Sequence, residues 1–137
     1  MPSKRMSGPR LALAGTMVIM IACAAQVAPQ KRSFKDDVMP IVKKYCLPCH
    51  SEDNYNPSEL SLDSYELMMD GGKHGAPIVA GDPDKSLLVQ KVMGNAPFGD
   101  PMPLAKKLSS GELQQKRLTA EELQILKDWI AQGAQDN

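Results

Sequence analysis

Past residue 32 the apolar positions recur at helical spacing. Phe34, Val38, Ile41 and Tyr45 make the first stripe. Ser33 stands where an N-cap belongs, with Asp36 and Asp37 in the first turn. Pro40 is expected to break or kink this helix. Residues 61–70 predict a short second helix, capped by Asp63 or Ser61 and stopped at Gly71-Gly72. Asp82-Pro83 predicts a third helix start, with Leu87, Leu88 and Val92 inward and Gly94-Asn95 ending it. The last helix opens at Thr119, with Glu122 completing a capping box. Its apolar face is Leu123, Leu126, Trp129 and Ile130, and Gly133 closes it. Residues 51–60 are polar and read as a surface loop. Residues 96–104 hold Pro97, Gly99, Pro101 and Pro103, which bars a regular helix or a central strand. No stretch alternates convincingly as a strand, and there is no internal repeat. The pattern predicts an all-α domain of about four short helices.

The start of the chain follows another rule. Lys4, Arg5 and Arg10 precede an uncharged run of about fifteen residues that ends in Ala22, Ala24 and Ala25. This is the layout of a secretory signal peptide. The run is shorter than the roughly 20 apolar residues of a spanning helix, which sets an uncleaved anchor second. Met20-Ile21-Ala22-Cys23 resembles a bacterial lipoprotein box, at which Cys23 would carry lipid and attach the protein to a membrane. The other reading is an ordinary signal peptide cut nearby. The expected division is a signal peptide over 1–23, a tether over 24–32 and one domain over 33–137. The location expected is outside the cytoplasm, in a periplasm.

Composition adds two points. The chain has 16 basic and 16 acidic side chains, and losing Lys4, Arg5 and Arg10 with the leader leaves a net charge of −3. That gives no footprint for nucleic acid and weakly favours a basic patch on a protein partner. Aromatic residues make up only 4% of the chain, which is lean for a core.

The chemistry centres on Cys46-Leu47-Pro48-Cys49-His50. Cys-x-x-Cys-His is the spacing at which two thiols take the two vinyl groups of one porphyrin, and the following histidine ligates the iron. A bound haem c would supply the missing apolar bulk. A methionine opposite histidine is the pairing that raises the potential in cytochromes c. Beyond the leader there are five methionines: Met39, Met68, Met69, Met93 and Met102. Four lie in helical segments, where core filling explains them. Met102 lies between Pro101 and Pro103, 52 residues after His50, and is the expected sixth ligand. Met93 and His74 are the alternatives, with His74 otherwise a solvated loop residue. A zinc site on Cys46, Cys49, His50 and His74 has acceptable ligand types, but adjacent Cys49 and His50 rarely hold one zinc. A thioredoxin-like Cys-x-x-Cys would open a helix within a βαβ unit, whereas this one follows a helix.

In residues 34–134 the chain resembles the planctomycete-type cytochrome c domains, which are small and class-I-like. The residues that carry the likeness are Asp37-Val38-Met39-Pro40-Ile41, the Cys46-x-x-Cys49-His50 motif, Leu60-Ser61-Leu62-Asp63-Ser64, Gly71-Gly72, Gly81-Asp82-Pro83, Ser86-Leu87-Leu88, Met102-Pro103 and Trp129-Ile130-x-x-Gly133-Ala134. Ser51 and Leu104 stand where the family often has glycine and a second proline. The resemblance implies one covalent haem, His50 and Met102 as axial ligands, and electron transfer between a donor and an acceptor protein. The expectation is a carrier with no catalytic machinery, since no nucleophile–base pair is visible. The rivals are a haem enzyme or gas sensor with an exchangeable distal position, and a haemless zinc-binding module.

Overall fold

Four α-helices and one small β-hairpin surround an apolar core in the computed structural model, which describes residues 30–137. The leader expected over 1–23, with Cys23, and residues 24–29 of the tether lie outside the described residues.

The first helical stretch begins as a π-helix, Phe34–Val38, and continues as α1, Met39–Tyr45. The Ser33 side chain accepts from the Asp36 amide at 3.1 Å, while the Ser33 amide donates to the Asp37 carboxylate at 2.8 Å. Pro40 neither breaks this stretch nor leaves a gap in it. The winding changes from π to α at Met39, so the missing N–H of Pro40 falls in the first α turn, where no partner is required. Phe34, Val38, Ile41 and Val42 are buried along one face.

Helix α2, Tyr65–Asp70, is capped by Ser64, which accepts from the Leu67 amide. The sequence pointed to Asp63 or Ser61 for that role. Asp63 is used elsewhere, accepting from the Glu52 amide at 2.6 Å. Gly71 ends the helix at φ +78, and a Cβ there would lie 2.3 Å from the Gly75 carbonyl oxygen, so only glycine fits.

Helix α3, Leu87–Met93, starts later than Asp82-Pro83 suggested. The buried Ser86 hydroxyl donates to the Asp82 carbonyl at 2.9 Å and accepts from the Val79 amide at 2.9 Å. These bonds hold Ser86 extended, so residues 82–86 form a separate turn, closed by the Asp82 carboxylate on the Lys85 amide.

Helix α4, Ala120–Ala131, has the expected capping box between Thr119 and Glu122. It buries Leu126, Trp129 and Ile130, each contributing on the order of 1.5–3 kcal/mol. Trp129, Phe34 and Tyr65 form an aromatic cluster with ring centroids 5.3–6.5 Å apart. The polar edges are satisfied by the C-terminal tail: Trp129 Nε1 donates to the Gln135 carbonyl and the Tyr65 hydroxyl to the Ala134 carbonyl, both at 2.9 Å. The tail also closes on the start of the domain, where the Phe34 amide donates to Asn137 Oδ1. Arg32 pairs with Asp128 of α4 at 3.3 Å.

The expectation of no strand is corrected. β1, Lys106–Lys107, pairs antiparallel with β2, Leu113–Gln114. Each strand has two exposed residues, too short for alternation to show. The turn between them shapes the hairpin, with the Leu108 amide on the Glu112 carbonyl and Gly111 at φ +87. No helix among the described residues is long and apolar enough to cross a membrane.

Candidate haem-attachment site

α1 ends at Tyr45, and residues 46–50 form a hydrogen-bonded turn that follows it. The Cys46 amide donates to Val42 O at 2.8 Å, and the His50 amide donates to Cys46 O at 3.1 Å. The two cysteines and the histidine are therefore set on one backbone turn directly after a helix that buries Ile41 and Val42. Cys46 is half-buried and Cys49 is exposed; both are free thiols. Burial, with Cys49 nearby, pushes the Cys46 thiol up to about 11. A redox-active Cys-x-x-Cys needs a lowered thiol, so the environment runs against that chemistry.

The His50 ring is oriented by the chain ten residues on. Nδ1 lies 3.1 Å from the Leu60 carbonyl oxygen. A carbonyl only accepts, so Nδ1 carries the proton, and in the neutral ring Nε2 keeps its lone pair. That is the tautomer a metal-ligating histidine requires. Two further bonds fasten the same segments. The Leu62 amide donates to His50 O at 2.8 Å, and the Glu52 amide donates to Asp63. Leu60 and Asp63 carried no chemical signal in the sequence, because one acts through its backbone and the other looked like a helix cap.

The Tyr45 side of the motif is fixed to α4. Glu122 accepts from the Tyr45 hydroxyl at 2.7 Å, from Lys44 Nζ at 2.6 Å and from the Thr119 amide at 2.8 Å. Partial burial pushes the Glu122 carboxyl upward, but these donors outweigh it and hold the group down at about 2. Lys116 Nζ sits 5.2 Å from the centre of the Tyr45 ring. Its neighbour Gln115 donates to the Pro103 carbonyl at 2.9 Å. The segment after β2 thus connects the Met102-Pro103 loop to the residue preceding Cys46.

Met102 is half-buried, and its amide donates to the Lys91 carbonyl at 2.9 Å. Met93 ends α3 and is 46% exposed, so it does not fill the core as its helical position suggested. His74 is exposed and stacks on Phe98, ring centroids 4.3 Å apart. Met93, Phe98, Leu104, Leu108 and Leu113 are all exposed and all belong to the segment running from α3 through the hairpin. Two clefts lie elsewhere. One of about 400 Å³ is walled by Tyr55, Asn56 and Lys73, and one of about 270 Å³ by Arg32, Trp129 and Asn137. Among the described residues no three His, Cys, Asp or Glu side chains converge as a metal nest, which gives the zinc reading no support.

The donor set fits haem c. It has two free thiols on one turn, a histidine with the ligating nitrogen free, and exposed apolar side chains flanking a methionine loop. Such a donor set is the one that c-type cytochromes use. Residues 46–103 match the family described as planctomycete cytochrome C. A solved structure, hydrazine synthase of Kuenenia stuttgartiensis, aligns with 77% of this chain at 25% identity and a TM-score of 0.49. This chain covers 16% of that one, and a likeness of that degree does not bear on function. No curated protein matches the chain.

Proposed function

We propose that the chain is a monohaem c-type cytochrome that carries electrons outside the cytoplasm, with His50 and Met102 as axial ligands. The carrying observation is the His50 ring, whose Nδ1 proton is held by the Leu60 carbonyl, leaving Nε2 for iron. Cys46 and Cys49 would hold the haem covalently, and the bound iron would supply a one-electron couple. The chain's own part is to keep both ligands in place in both oxidation states. The turn at 46–50, anchored on α1 and on segment 60–63, holds the histidine. The loop before Pro103 offers the methionine. Donor and acceptor are proteins, and the net negative charge after loss of the leader favours basic patches on them. The Cys23 box would place the domain at a membrane surface.

The test is expression with the c-type maturation machinery. A haem stain that survives denaturing electrophoresis establishes covalent attachment, and its absence ends the proposal. In the ferric protein a methionine–iron charge-transfer band lost in Met102→Ala identifies the sixth ligand. Rapid cyanide or carbon monoxide binding by the unaltered protein, with no such band, would instead make it a haem enzyme or sensor. The intact mass of the mature protein reports cleavage, lipid and haem together.

A further inference from the structure

From the contacts of one side chain on the Met102 loop, we infer that Lys91 is the positioning residue of the distal ligand. The inference rests on the proposed ligation of iron by Met102. Lys91 lies in the last turn of α3 and touches the loop at four places. Its Nζ donates to the carbonyl oxygens of Phe98 and Asp100, the latter at 3.2 Å. The same ammonium sits 4.9 Å from the centre of the Phe98 ring. Its own carbonyl accepts the Met102 amide at 2.9 Å. The loop that leaves α3 at Gly94 therefore returns to the helix it left, wrapped over one lysine.

The surrounding residues are consistent with such a fastening. Gly94 ends α3 in the left-handed conformation at φ +79, which turns the chain back at once. Gly99 has φ +62, and a Cβ there would lie 2.9 Å from Lys91 Nζ. A side chain at 99 would thus displace the ammonium from the carbonyls on either side. The Phe98 ring also packs against His74. The loop has few other holds: residues 97–101 are exposed, and none of their side chains is buried in the core.

The physical role follows from how weakly a thioether holds ferric iron in the absence of a stiff loop. A foreign ligand binds only the fraction of molecules in which Met102 has left the iron. Each constraint on the loop lowers that fraction. Replacing the Lys91 side chain leaves the backbone bond from Met102 intact and removes only the two carbonyl contacts and the ring contact. Lys91→Ala is compatible with helix α3, and Lys91→Met keeps an unbranched side chain of similar length without the charge.

The experiment is imidazole titration of the purified ferric holoprotein, followed through the charge-transfer band, with urea unfolding run in parallel. The expected result is imidazole affinity raised about tenfold in both Lys91→Ala and Lys91→Met, restored largely by Lys91→Arg, with the urea midpoints little changed. If the unaltered protein shows the band and the Lys91 variants bind imidazole as it does, the Lys91 inference is overturned while Met102 ligation stands. If affinity rises only in proportion to lost global stability, or Arg gives no rescue, Lys91 is a general structural contact and the inference is likewise overturned. If the unaltered protein has no such band, Met102 ligation fails and the inference falls with it.

Discussion

The two sides of the proposed iron site are built differently. On the His50 side the holds start from elements that are anchored in the core. The motif turn follows α1, whose Ile41 and Val42 are buried. Tyr45 is bound to Glu122 of α4, and the 50–52 backbone is bonded to 60–63. On the Met102 side the loop is exposed and fastened chiefly through Lys91 and, past Pro103, through Gln115. A buried ladder resists opening by as much as the whole domain does, whereas an exposed loop opens at the cost of its local contacts. Ligand exchange should therefore occur on the methionine face while the histidine stays bound.

Mutations that remove a whole side should show the largest effects. Replacing both Cys46 and Cys49 with alanine should abolish covalent haem, read as loss of the stained band after denaturing electrophoresis. Next, Trp129→Ala should cost about 3–5 kcal/mol, since this ring is 1% exposed and underlies the helix that holds Tyr45. Urea unfolding of the holoprotein measures it, and a loss under 1 kcal/mol would mean that the proximal side does not depend on this core.

Glu122→Gln should cost less, about 1–2 kcal/mol near neutral pH. Its carboxyl is held at about 2, below the ordinary value of 4.5, so its contribution is complete above 4.5 and fades as pH falls toward 2. Unfolding curves of the protein and the variant should diverge at pH 7 and converge near pH 2. Parallel curves over that range would show that the carboxylate is not the active feature. The smallest effect on stability is expected for Gly99→Ala, about 1 kcal/mol from the strain of alanine at the left-handed φ of +62. The same substitution should still raise ferric imidazole affinity, because it displaces Lys91 Nζ. A change in stability with no change in affinity would remove the contrast between the two sides.

Much of this was legible along the chain because it depends on neighbours in sequence. Caps act over three residues, so Ser33 and the Thr119–Glu122 box were readable, as was the apolar face of α4. The proposed haem attachment is also local, since two thiols and a histidine must lie within one turn. The misreadings came where a distant group competes for a residue. Asp63 was spent on Glu52, and Ser86 was drawn to Val79 and Asp82, which moved the starts of α2 and α3. The hairpin was missed because two-residue strands carry no period.

The sequence by itself determined the helical class, the Cys-x-x-Cys-His motif and the proline-flanked Met102, since each is a short-range pattern of side chains. Tertiary structure alone decided which nitrogen of His50 is free, through a carbonyl at Leu60 that no side chain announces. It also joined Tyr45 to Glu122 across 77 residues and brought Lys91 onto the Phe98 and Asp100 carbonyls. Those contacts use backbone acceptors and ordinary surface charges, whose partners are chosen only when the helices pack.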